Sequence, residues 1–157
     1  RASTSRFRRT AQETQIDLGT KAVHWKPHHL RAKEGTGAAF DIDILEVRAG
    51  YAKIAMTARA DMLNGHGICH GGLIFTLADT AFAYACNSHN RSSVAQHAAI
   101  TFLAPVPEGA RLVAEAKEDA VAGRTGAYSA TVRIDDDAVV AVFNGVSRTI
   151  GGAVLDD

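Results

Sequence analysis

The feature that most constrains this chain is an unbroken apolar segment from Gly71 to Ser88, GGLIFTLADTAFAYACNS. It is too long for one strand and rich in Ala and Leu, so it reads as a helix that stops at Asn87-Ser88. Leu73, Ile74, Phe75, Leu77, Ala81, Phe82 and Tyr84 fall on nearly every side of that helix, and a helix that is apolar all round is buried all round. Something must therefore wrap it. The rest of the chain offers strands. Phe40 to Ile44 alternates apolar with polar, as does part of Tyr51 to Ala58, with Ala49-Gly50 as the turn between them. After the helix, Val94–Leu103, Arg111–Glu118, Tyr128–Ile134 and Val139–Thr149 read as strands. Pro105 and Pro107, Gly123-Arg124-Thr125-Gly126 and Asp135-Asp136-Asp137 separate them. The expected class is α+β, with a long central helix wrapped by a curved antiparallel sheet.

A chain of 157 residues fits one domain. We expect it from Glu34 to Asp157, behind an N-terminal arm of residues 1–33 that is partly disordered and partly helical between Gln12 and Pro27. The opening RASTSRFRRT, rich in Arg and Ser, reads as a solvated tail rather than an organelle transit segment. Formal net charge is zero but unevenly spread. There are eight Lys/Arg against two acids up to Lys33, and nine against fifteen from Glu34 onward. A mildly acidic body with aromatics at 6% argues against a nucleic-acid surface. Cys69 and Cys86 are too few for a disulfide framework, which points to reduced thiols and a cytoplasmic setting. No apolar run is long enough for a membrane helix.

Asp79 stands in the middle of the apolar helix. A carboxylate in a dry core costs several kcal/mol unless it is paired or hydrogen-bonded, and no Lys or Arg lies within helical reach. Either a donor such as Thr76 or Thr80 satisfies it, or it is there for chemistry. At the helix entrance, His70-Gly71-Gly72 places glycines where the first free amides point outward. Such a start can hold an oxyanion, or can be merely a tight turn.

The stretch Asn64-Gly65-His66-Gly67-Ile68-Cys69-His70-Gly71-Gly72, continuing through Phe75-Thr76-Leu77-Ala78-Asp79-Thr80-Ala81, resembles the signature of the hotdog-fold acyl-coenzyme A thioesterases. It is most similar to their phenylacetate-degradation branch. Phe82 to Ser88 and Gly145 to Gly152 share the resemblance, which runs from about Phe40 to Gly152. It implies a hotdog fold and hydrolysis of an aryl-acetyl thioester, phenylacetyl- or hydroxyphenylacetyl-coenzyme A, to free acid and coenzyme A. Asp79 would be the nucleophile or the general base, and the Gly71 amide would polarise the carbonyl. Asn64 would position the carbonyl or a water, His70 would brace the loop, and Thr80 would orient the acid. Arg91, Arg124 and Arg148 are the candidates for the coenzyme A phosphates. No cofactor is required, since coenzyme A arrives as part of the substrate. Where many relatives carry a small polar residue after the helix, this chain has Gln96 and His97, which we read as solvent-facing.

Gly71 and Asp79 lie ~12 Å apart along one helix. If both act on one carbonyl they come from different subunits, which implies a homodimer with shared sites; a homotetramer is implied by the resemblance alone. Other readings are a medium-chain acyl-coenzyme A thioesterase of broad specificity and a non-catalytic acyl-coenzyme A-binding module. Zinc on His66, Cys69 and His70 lacks a fixed helical face, so no metal is expected. Cys69 as a nucleophile lacks an arguable base, and where hydratases of this fold generally rely on a His paired with an acid, this sequence has the Asn64, His70-Gly71-Gly72 and Asp79 pattern instead.

Overall fold

The computed structural model describes residues 35–135 and 137–155, together with the pairs 16–17 and 22–23. Within the arm, Ile16–Asp17 (β1) and Ala22–Val23 (β2) pair antiparallel. At those four residues the expected helix is replaced by a strand pairing, which suits β-branched Ile16 and Val23. The rest of the arm, its disorder included, lies outside the described residues.

The body begins with a short helix, Gly35–Ala39, which the sequence reading missed. It displaces the first long strand, expected from Phe40, to Asp43–Arg48 (β3). The remaining strands are Tyr51–Thr57 (β4), Ser93–Phe102 (β5), Arg111–Ala122 (β6), Thr125–Ile134 (β7) and Ala138–Thr149 (β8). Strands β3 to β8 form one antiparallel sheet in the order β3-β4-β6-β7-β8-β5. Strands β6 and β7 extend further than expected, because Thr125 and Gly126 pair with Ala122 and Val121 instead of turning.

The central helix runs from Gly71 to Asn87 and packs against all six strands. Ile74, Leu77, Ala78, Ala81, Phe82, Ala85 and Cys86 point into the core. There Phe82 stacks on Tyr128 and Phe143 at ring separations of 5.3 and 5.7 Å. At its far end, Ser88 Oγ donates to Ala85 O and accepts from Gly50 N, which ties the helix to the β3–β4 turn. This is the expected hotdog architecture. One expectation fails: the helix is not buried all round. Gly72 and Ala83 are exposed, and Thr76 and Asp79 between them are only partly covered. Spacings of three and four residues place these four on one stripe. The sequence pattern marks the whole surface that some apolar partner covers, and this chain's own sheet covers only part of it.

Packing is tight where helix meets sheet. A Cβ at Gly145 would stand 3.0 Å from Phe143 Cε1 and from two ring carbons of Phe82, both rings at 1% exposure. Gly145→Ala should therefore destabilise the protein by about 1–3 kcal/mol, the range for overfilling a close-packed core, as read from chemical denaturation.

Candidate active site

The loop before the helix is organised by its own side chains. A 3-10 turn, Ala60–Met62, leads in. The Arg59 guanidinium holds Asp61 through Nε at 3.0 Å and Asp41 through Nη1 at 3.2 Å. The Asn64 Oδ1 then accepts from His66 N at 2.9 Å and from Ile68 N at 3.4 Å. With its oxygen occupied in the loop, the side chain of Asn64 has its NH₂ left as a donor. His70 is the N-cap of the helix: its backbone N–H donates to Met62 O at 2.8 Å, and its Nδ1 accepts from Gly72 N at 2.9 Å. That bond fixes the neutral tautomer with the proton on Nε2. It also settles which amide is free. Gly72 N–H is capped, and Gly71 N–H has no acceptor among the described residues.

Gly71 opens on a hollow of about 410 Å³ that Asn64, Ile68, Cys69, Phe102, Leu103 and Pro105 help to line. The sequence reading missed Phe102. Its ring comes so close that a Cβ on Gly71 would stand 2.9 Å from Cζ, although Phe102 is 49% exposed and Leu103 58%. The hollow is walled by apolar side chains, with one free backbone donor and one carboxamide at its base.

Asp79 sits two turns further along, on the incompletely covered stripe. Its carboxylate makes no hydrogen bond and no ion pair among the described residues. Thr76 Oγ1 donates instead to Gly72 O at 2.8 Å, and Thr80 is buried at 5% exposure without bonding the acid. Desolvation raises the Asp79 pKa above the ordinary value of 3.8. Neither threonine satisfies the acid, so of the two expectations for Asp79 the one based on internal satisfaction does not hold.

The structure brings Asn64, His70 and Gly71 together and leaves Asp79 on the same helix but apart from them. Arg91, Arg124 and Arg148 gather at the other end of the helix, all exposed. Arg91 follows the helix, Arg124 Nε donates to Thr149 O at 2.8 Å, and Arg148 pairs in register with Thr125 and Val94. Gln96 is the extra residue of a β5 bulge and His97 pairs with Val146; both are exposed. Burial raises the Cys69 thiol pKa, which opposes a nucleophilic role. Among the described residues no three His, Cys, Asp or Glu side chains gather as a metal site, and no helix is long and apolar enough to cross a membrane.

A helix wrapped by a six-stranded antiparallel sheet, with a free amide at its start and an unpaired acid at its middle, defines a hotdog-type acyl-transfer scaffold. Residues 66–141 match the Thioesterase superfamily. The acyl-coenzyme A thioesterase PaaI of Escherichia coli is 42% identical over 130 residues, covering 83% of this chain and 93% of that protein. The solved structure of E. coli PaaI, from the phenylacetic acid degradation operon, superposes with a TM-score of 0.78 over 80% of this chain and 91% of that one. The phenylacetic acid degradation protein PaaI of Thermus thermophilus, solved as a mutant, gives a TM-score of 0.71 at 33% identity, covering 74% of this chain and 100% of that one. The chain belongs to the thioesterase superfamily, in the branch of the PaaI proteins.

Proposed function

We propose that this protein is an acyl-coenzyme A thioesterase that hydrolyses aryl-acetyl thioesters, and that its active site is completed by a second copy of the chain. One observation carries the proposal: Asp79 is a half-buried carboxylate with no partner among the described residues, on a helix stripe that this chain leaves partly open. An ionised group held that way costs stability and returns it only through chemistry. In the proposed reaction the Gly71 N–H donates to the thioester carbonyl oxygen, and the Asn64 NH₂ assists or orients water. Asp79 either attacks the carbonyl carbon, giving an anhydride that water then cleaves to the free acid and the regenerated carboxylate, or takes a proton from a water that attacks directly. In both cases the C–S bond breaks and coenzyme A leaves as the thiolate. His70 acts on the loop, by capping Gly72 and leaving Gly71 free.

Since Gly71 and Asp79 are eight residues apart in one straight helix, ~12 Å along its axis, one carbonyl meets both only if two helices run antiparallel. The stripe Gly72-Thr76-Asp79-Ala83 is small enough for that close approach, and the exposed Val94 and Phe102 mark the β5 edge beside it. A homotetramer, coenzyme A phosphates on Arg91, Arg124 and Arg148, and a cytoplasmic setting for the two free, buried cysteines complete the reading. The test is thiol release from phenylacetyl-, hydroxyphenylacetyl- and straight-chain acyl-coenzyme A. We expect the aryl-acetyl thioesters to turn over fastest, and a chelator to have no effect. Faster turnover of straight chains would favour a medium-chain enzyme, whereas binding without thiol release would make the protein a sensor.

A further inference from the structure

The free Gly71 amide has an aromatic ring beside it that no step of the proposed hydrolysis uses. Strand β5 lies along the central helix, and both ends of that contact are fixed. At one end the Asn87 carboxamide accepts from Ser93 N at 2.9 Å and donates to Ser93 O at 3.0 Å. At the other, Phe102 meets Gly71. Between them Ala98 and Ile100 pack against the core, and the two-residue period carries their row to Phe102. Their partners on β8, Gly145, Phe143 and Ala141, are buried. Phe102 closes the row at the helix start, 49% exposed.

The ring arrives end-on. Its Cζ stands 2.9 Å, and each Cε 3.3 Å, from the place that a Cβ on Gly71 would take. It therefore fills the space that any other residue at 71 would use for its own side chain. That place is two bonds from the amide nitrogen, so by ordinary bond lengths the ring edge lies within about 5.4 Å of it. A water seated between the two would need about 6 Å, from a hydrogen bond on one side and a van der Waals contact on the other. On that flank nothing separates ring from amide. Around them Ile68, Leu103 and Pro105 continue the apolar wall of the hollow.

We propose that Phe102 is a positioning residue for the hydrolysis: its ring keeps water from the Gly71 N–H, so that this amide meets the thioester carbonyl dry. The inference rests on the thioesterase reading above, and it concerns the rate of the chemical step rather than the choice of acyl group. The N–H···O bond strengthens as negative charge develops on the carbonyl oxygen, and it strengthens more where water does not compete. Opening that flank therefore falls on the transition state and lowers kcat. A ring that only packed against the acyl group would act on KM instead.

The experiment compares the native protein with Phe102→Ala and Phe102→Leu, with the oligomeric size of each followed by light scattering. Solvent exchange of the Gly71 amide, read by NMR on glycine-labelled protein, requires no catalysis. Phe102→Ala should speed it about tenfold, while the amide of Gly145 in the sheet, which reports opening of the whole fold, holds its native rate. On phenylacetyl-coenzyme A the same variant should lose about tenfold or more in kcat, a fraction of what a whole oxyanion donor supplies, with KM little changed. Phe102→Leu restores apolar bulk and should fall between alanine and native in both measurements, so it carries the test if the alanine variant does not fold. Unchanged Gly71 exchange, or a loss carried by KM alone, overturns the proposal. So does a loss of kcat that appears only when the assembly falls apart, because Phe102 then acts through the subunit contact. No thiol release by the native protein from any acyl-coenzyme A overturns the thioesterase reading and this role with it, whatever the exchange rates, which tells the two failures apart.

Discussion

Asp79→Asn should release thiol from aryl-acetyl-coenzyme A at least about a hundredfold more slowly than the native protein, the low end of what a positioned acid–base group contributes, and should melt at a higher temperature. Both effects have one cause. Asparagine has neither the charge to attack nor the basicity to take a proton. It also lacks the charge that desolvation penalises in the folded state. The pKa of Asp79 is raised by burial, so the folded protein holds that proton more tightly than the unfolded chain does. The penalty is therefore absent below the unfolded value and grows as pH rises through the two values. Above the folded value it is complete. The gain in melting temperature should accordingly be present at neutral pH and fade in acid. The same shift places the acidic limb of kcat/KM above the ordinary carboxylate range, since activity needs the ionised form and is lost as pH falls through the raised value. A variant that turned over normally would remove Asp79 from the chemistry, and one that lost activity by unfolding would betray itself by melting lower.

Two inactive variants mixed together should recover activity. Asp79→Asn keeps the helix start, and Asn64→Ala keeps the acid. If each site joins the start of one helix to the middle of another, a mixed dimer holds one intact site and one with both defects. Random exchange of twofold subunits then restores about a quarter of native turnover, provided the two proteins are unfolded and refolded together. Mixing without exchange should restore nothing. A site contained within one chain predicts no recovery in either case, and that result would remove the shared-site mechanism while leaving the fold and the family untouched.

Much of this was legible in the residues, for identifiable reasons. The central helix announced itself by length and composition, and its ends were read to within a residue because Gly71 and Ser88 punctuate it. Asp79 stood out because a charge amid apolar neighbours is costly, and the loop from Asn64 to Gly72 by its resemblance to a known signature. The short helix at Gly35–Ala39 did not show, because Gly and Thr are poor helix formers and the segment is held by its surroundings. The bond from Tyr128 to Glu118 did not show, although the acid follows Leu112, Ala114 and Ala116 in step along β6. In the sequence it is only the end of an alternating strand, because nothing in one strand reveals which neighbour's hydroxyl waits opposite. Phe102 over Gly71 was hidden for the same reason: the two meet only once β5 and the helix pack.

The order of the strands governs when the molecule can be finished. β5 leaves the helix early in the chain, yet its hydrogen-bonding partner is β8, the last strand made. As the protein emerges from the ribosome, the β5 segment has no strand of its own sheet to pair with until Thr149 has cleared the exit tunnel. Long-range pairings of this kind form slowly, and a waiting strand is open to other chains. Synthesis that stalls before β8 should therefore yield aggregation rather than a smaller working protein.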